Sequence, residues 1–316
     1  MKTSFRSMLA AISLAAAFAL ILQIPGLGQE GAPKGGGKKG GGGAPKGGGA
    51  PGGGAPGGGT LPGGLPGGIY GPYFSPAVVK GGPIPRTPDG KPDMSGYWFG
   101  RFNNAIFNME DTDRQKGAIV DPPGGKIPYK PEARAKQADL KQNHMFDEPE
   151  AHCFMSGVPH SAYQQFGFQV TMHKNFMLWQ AEYAHSFRTI PTDGRPHAVP
   201  KDAKLFMGDS VGHWEGDTLV IDTTNQNGRT WFDMEGNFTT PNIHVVERIT
   251  MVDSENINYE ATIDDATIYT RPWTIRGTWG RNPDKAYEQM EFGCIEGNQD
   301  LEHYVQAEGG VKERKR

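Results

Sequence analysis

From Phe168 onward the apolar residues fall at every second position, and that rhythm constrains the chain more than any other feature. In His244-Val245-Val246-Glu247-Arg248-Ile249-Thr250-Met251, Val245, Ile249 and Met251 share one face; Leu219, Ile221 and Thr223 do the same in the run before it. A strand with one buried side gathers residues at that spacing, and a helix does not. The breaks between runs are turn formers: His173-Lys174-Asn175, Thr192-Asp193-Gly194-Arg195, Glu215-Gly216-Asp217, Asp253-Ser254-Glu255-Asn256 and Arg281-Asn282-Pro283-Asp284. They predict the pairs 168–173 with 176–190, 244–252 with 257–263, and 272–280 with 286–294, and a strand after the Glu215-Gly216-Asp217 turn. Strands joined so tightly pair antiparallel. The expected fold is therefore all-β, an antiparallel up-and-down, lipocalin-like barrel or a strongly curled sheet, because closure removes exposed edges. The exception is 131–144, PEARAKQADLKQNH, with Pro at the first turn and no β-branched residue. It predicts one short surface helix.

The chain ahead of this domain has another character. Lys2 and Arg6 precede an apolar run from Met8 to Ile24, and Gly26-Leu27-Gly28 offers small residues for cleavage. That pattern predicts a signal peptide over 1–28 and an exported protein, periplasmic or secreted. Residues 29–68 repeat GAPKGGG-like units that have nothing to bury, so a disordered linker is expected there. An extended proline-rich segment, 69–93, follows; the β domain is expected over 94–308 and a basic tail over 309–316.

Charge follows the same division. The signal, residues 29–80 and the tail carry +2, +4 and +3, which leaves −12 for 81–308 against a total of −3. So acidic a body argues against a nucleic-acid groove. The basic linker and tail suit an anionic envelope surface, a solubilising spacer being the alternative. Cys153 and Cys294 predict one disulfide in an oxidising compartment, with free or metal-bound thiols as the alternatives. No CxxC or CxxCH is present, so haem attachment and thioredoxin-like chemistry have no support.

Two resemblances follow from particular residues. Gly96-Tyr97-Trp98, opening a string of hairpins, resembles the Gly-x-Trp start of lipocalin and other calycin-type barrels. The blocks IVDPPGGKIPY, HSFRTIPTDGRPH, MGDSVGHWEGDTLVIDTTN, HVVERITMVD, TRPWTIR and CIEGN, from Ile119 to Asn298, resemble a widespread, uncharacterised family of exported bacterial proteins. That resemblance implies no activity. The family tends to read Cys-His-Glu-Gly-Asn where this chain has Ile295 in the His place. Any function resting on that His would be lacking here.

Alternation also selects candidate site residues. Met177, Trp179, Ala181, Tyr183 and His185 are expected on one strand face, and Glu247 on an otherwise apolar one. A buried carboxylate is costly unless paired, so Glu247 needs a partner among His185, Arg188, Arg248 and Arg271. A His185–Glu247 pair could run acid–base chemistry, with Arg188 or Arg271 stabilising negative charge. An internal salt bridge is the plainer alternative. Trp179, Tyr183, Trp214 and Trp273 are candidate ligand contacts, though tryptophans in a β protein mostly build core. No cofactor is predicted. The histidines lack HxH or HExxH spacing, and a divalent metal enters only if His185, His197, His213 and His244 converge in space. Ser210 lacks a nucleophile elbow.

The favoured expectation is a barrel binding a small amphipathic molecule in its interior. A hydrolase, lyase or isomerase of the same shape is the alternative, and an envelope-associated structural protein the third.

Overall fold

The structure, a computed structural model, describes residues 78–103, 105–299 and 301–302. The expected signal segment, the Gly/Pro/Lys-rich linker and the basic tail lie outside the described residues, as do residues 69–77 of the segment 69–93.

The described residues form an all-β, antiparallel, nearly closed barrel with a single α-helix. Its strands are β1 (Gly96–Arg101), β2 (Ile119–Asp121), β3 (Phe168–Met172), β4 (Phe176–Ala181), β5 (Phe187–Pro191), β6 (Asp209–Glu215), β7 (Thr218–Thr224), β8 (His244–Asp253), β9 (Asn256–Asp264) and β10 (Trp273–Arg281). The sheet order is β5-β4-β3-β1-β10-β9-β8-β7-β6, with short β2 added to β10. Around the barrel the order therefore follows the chain, with β1 seated between β3 and β10. The helix α1 (Pro131–Asn143) buries only Ala133 and Gln137 and carries Pro at its start.

The parity of nine strands fixes where the barrel fails to close. Eight antiparallel pairings leave the two terminal strands, β5 and β6, pointing the same way. Parallel neighbours need a crossover rather than a hairpin, and residues 192–208 make it. No ladder joins β5 to β6 among the described residues; the seam is bridged instead by the Gly194 N–H donating to the Gly212 carbonyl at 3.1 Å.

The two barrel ends differ. At one end are the tight turns 173–175, 216–217 and 254–255, where Gly216 supplies the left-handed φ of 62°. At the other lie the long connections 102–167, 225–243 and 265–272, which carry β2, α1 and several 3-10 turns. They cap that end. Inside, alternation directs Trp98, Phe168, Trp179, Tyr259, Trp273 and Trp279 into one core, all essentially without exposure. Trp179 stacks edge-on to Trp279 at 5.0 Å and tilts against Phe168 at 4.4 Å. At the inward position Gly277 a Cβ would come within 2.4 Å of the Phe102 ring, so glycine is what admits that ring. The interior is filled by side chains.

Two expected strands differ. The run 176–190 breaks after Ala181 into a 3-10 turn, Tyr183–His185, with Ala184 and His185 at positive φ, so the shared face ends at Ala181. The stretch 286–294 is not a strand: β9, β1 and β2 occupy both edges of β10. The chain after β10 instead runs as a strap along the outside to the capped end. Tyr97 and Tyr287 rings meet at 4.5 Å, and both hydroxyls donate to the same Glu182 oxygen at 2.6 Å. At the capped end Cys294 is bonded to Cys153.

Candidate functional site

Glu247 does point inward with Val245, Ile249 and Met251, and it is fully buried. Its partner is Arg188, through Nη1 to Oε1 at 3.1 Å and Nη2 to Oε2 at 2.5 Å. The Tyr259 hydroxyl donates to Oε1 at 2.9 Å; Ser210 and Thr223 accept from the guanidinium at 3.0 and 3.1 Å. The Trp179 ring lies 5.1 Å below the guanidinium. Charge and hydrogen-bonding capacity are matched within a packed core, which describes an internal salt bridge.

The other candidate partners, His185, Arg271 and Arg248 (which pairs with Glu215), do not form a site with it. His185 is carried away by the break after Ala181, and its Nε2 accepts from the Phe292 backbone N–H at 2.9 Å, so it fastens the strap. Arg271 is exposed and pairs with Asp121. Arg188, alone of the candidate partners, meets Glu247. Trp179 and Trp273 are core; Trp214 sits half-buried with the Lys91 ammonium 5.5 Å from its ring. Tyr183 lies elsewhere, in a cavity at the capped end.

That cavity, about 570 Å³, opens among the long connections. Its walls come from segments distant in sequence: Phe107 after β1, the 148–166 stretch before β3, Tyr183, Asp233 and the strap at 292–299. Phe166, Tyr183 and Phe292 form an aromatic side, with Phe292 4.8 Å from Phe166 and 5.1 Å from Tyr183. The Cys153–Cys294 bond and the Asn298 amide, donating to the Ala151 carbonyl at 2.8 Å, hold the strap in place.

The floor is ionisable. Glu148 caps the 3-10 turn Glu150–His152, accepting the Glu150 and Ala151 N–H groups at 3.0 and 2.6 Å. Glu150, with 17% of its side chain exposed, accepts from Gln164 at 3.2 Å, and its backbone carbonyl accepts the Tyr183 hydroxyl at 2.7 Å. Burial lifts both carboxyls to about 7, the charge of Glu150 adding to the effect at Glu148. Asp233 is also raised to about 7 by burial, although it accepts from Met109, Asn237 and Glu235. It organises the 233–237 loop.

His160 completes the floor. It is 3% exposed, and its Nδ1 lies 2.9 Å from the Trp231 carbonyl and 3.5 Å from Glu150 Oε1. A carbonyl only accepts, so Nδ1 carries the proton and Nε2 presents a lone pair. Nε2 is buried and has no hydrogen-bond partner among the described residues. Burial holds the imidazole down to about 4, so it is neutral across the physiological range. The usual order is thereby inverted: near neutrality the mobile proton belongs to the carboxyl pair and the histidine is an acceptor.

Alternation did not reveal these residues, because none of the floor groups lies on a strand. The dense spacing of Glu148, Glu150, His160 and Gln164 in one connection was the available signal. Ile295, standing where the resembled family reads His, is 82% exposed and outside the cavity lining.

A larger groove of about 740 Å³ crosses the outer faces of β8, β9 and β10. It is open, and two of its arginines are already engaged: Arg248 with Glu215 and Arg276 with Glu260. Of the four histidines considered for metal, His197 and His244 converge, both 2.9 Å from Asp222, and His197 also lies 3.1 Å from Asp209. His213 pairs with Glu215 and His185 lies at the strap. No group of three or more metal-ligating side chains with suitable geometry occurs among the described residues. Comparison with known protein families and with curated proteins returned no match.

Proposed function

We propose that the capped end of the barrel is a general acid–base site acting on a small molecule, and that the protein is an enzyme of the hydrolase, lyase or isomerase kind. The observation that carries this reading is the buried, partnerless Nε2 of His160, whose ring lies with its other nitrogen 3.5 Å from Glu150, a carboxyl with proton affinity set near neutral pH. A group that titrates near the working pH is the most effective proton carrier. Glu150 takes or delivers the proton, and its negative charge when ionised favours the protonated form of Glu148. The neutral His160 accepts a hydrogen bond from an N–H or O–H of the substrate and fixes its orientation. The aromatic side supplies contact area.

The ligand space thus lies at the barrel end. The interior expected to hold a ligand is occupied by aromatic side chains and by the Arg188–Glu247 pair. Work outside the cytoplasm is part of the proposal, supported by the Cys153–Cys294 bond and the signal-like first 28 residues. So is an electrostatic hold on an anionic envelope surface through the basic linker and tail.

The test follows, by proton NMR in heavy water with the full chain, deuterium entering carbon α to the carbonyl of small aromatic amino ketones and hydrolysis of the corresponding amino esters. Incorporation or product formation that falls about 10²–10⁴-fold in Glu150→Gln and His160→Gln supports the reading. Retention of the wild-type rate in both variants would defeat it, as would ligands that bind with neither exchange nor product formation.

A further inference from the structure

We propose, resting on the acid–base pocket above, that the molecule it takes is a small organic cation of the arylalkylamine class. Three independent observations converge on that class. The cavity lining includes four carboxyl side chains, Glu148, Glu150, Asp233 and Glu296, and no lysine or arginine. An anionic substrate would meet only repulsion there, whereas an ammonium group would find counter-charges on more than one side. One wall is the Phe166–Tyr183–Phe292 group, whose rings sit within 4.8 to 6.1 Å of one another and present π faces and edges to the space they enclose. Aromatic faces attract cations and stack on aryl rings. The third is the Nε2 lone pair of His160, which calls for an N–H or O–H donor, as an ammonium supplies, and has none among the described residues.

Together these features assign a direction to the ligand. Its ammonium lies on the floor toward Glu150 and His160, and its ring lies against the strap at Phe292. The strap is pinned by the Cys153–Cys294 bond, so the aromatic wall is in place before the ligand arrives. Binding is linked to protons. A cation prefers the ionised carboxylates, so affinity rises with pH through the range where Glu148, Glu150 and Asp233 titrate, while His160 stays neutral.

The experiment is calorimetric titration of the full-length protein at about pH 8 with four probes: benzylamine, benzyltrimethylammonium, benzyl alcohol and benzoate. Benzylamine should bind at least about tenfold more tightly than benzyl alcohol, with benzoate weakest, as expected for a partly desolvated cation. Benzyltrimethylammonium, which has the charge but no N–H, should fall between the first two. Lowering the pH by about one unit should weaken benzylamine and leave benzyl alcohol unchanged. The conservative rim variant Glu296→Gln should weaken benzylamine about two- to threefold and spare benzyl alcohol, at a position where the fold is not at risk. Equal binding of all four probes, tightest binding of benzoate, or binding of none would overturn the proposal. Amine binding without proton exchange would leave this assignment standing and remove the enzymatic reading; proton exchange confined to neutral or anionic compounds would do the reverse.

Discussion

Arg188 on β5 meets Glu247 on β8 across the one seam of the barrel that no strand ladder closes, and both side chains are buried, at 2% and 0% exposure. Ser210 on β6, Thr223 on β7 and Tyr259 on β9 complete the network, so one buried ion pair ties five strands together from inside. The parity of the barrel leaves β5 and β6 parallel and unpaired; a fork of fixed geometry reaches over the gap.

The first prediction concerns that fork. Arg188→Met or Glu247→Leu should destabilise the protein by about 3–5 kcal/mol, because each strands the buried charge of its partner. The joint Arg188→Met and Glu247→Leu variant should recover much of the loss. Urea unfolding of the four proteins in a double-mutant cycle measures the coupling, and a coupling near zero would contradict the network's role.

The disulfide spans 141 residues. By the loop-entropy account its loss should cost up to about 5 kcal/mol. The consequence should be local as well as global. In Cys153→Ser/Cys294→Ser, protease acting on the β domain should cut first within 282–299, since the strap loses its covalent anchor and keeps only hydrogen bonds, ring contacts and the Lys285–Glu255 pair. Mass spectrometry of early fragments checks this, and first cuts inside β6–β9 would count against it.

The pocket floor should cost stability as pH rises. Glu148, Glu150 and Asp233 have folded proton affinities raised by burial, so the native state holds more protons than the unfolded chain between about pH 4 and 7. Their favourable contribution is therefore complete below the unfolded range and lost as pH climbs through about 7. Each tenfold rise in proton affinity on folding corresponds to about 1.4 kcal/mol. Glu150→Gln should flatten the fall in Tm between about pH 5 and 8 and raise stability at the upper end while removing activity. An unchanged slope in the variant would refute the assignment.

A clasp on the outer face should respond with a limit at each side. The hydrogen bond to Asp222 raises His244, and the bond from His244 lowers Asp222. The histidine's share is fully present below its ordinary value and fades as pH rises through the raised one; the aspartate's share is present above its ordinary value and fades on acidification. His244→Ala should therefore cost most in mildly acidic solution, by about 1 kcal/mol for a half-exposed pair. Thermal melts across pH test it, and a pH-independent loss would refute it.

Much of the barrel was written in the sequence. Alternation placed Val245, Ile249, Met251, Leu219, Ile221 and Trp179 inward and set the turns at 173–175, 216–217 and 254–255, because a pleat of period two and a tight turn are local properties. It also put Glu247 on the apolar face and demanded a partner for it. The helix at 131–143 came from helix formers and a leading Pro. Those features need only neighbouring residues to be decided.

Tertiary structure settled the rest. Which arginine answers Glu247 depends on the closure of β5 toward β6, and the fate of 286–294 depends on β1 taking the free edge of β10. The pocket belongs entirely to this second kind: Glu150, His160, Tyr183, Asp233 and Phe292 come from connections spread over more than a hundred residues, with no periodicity to mark them. Their proton affinities and the idle Nε2 arise from burial against one another, a quantity that has no value until the chain has closed around them.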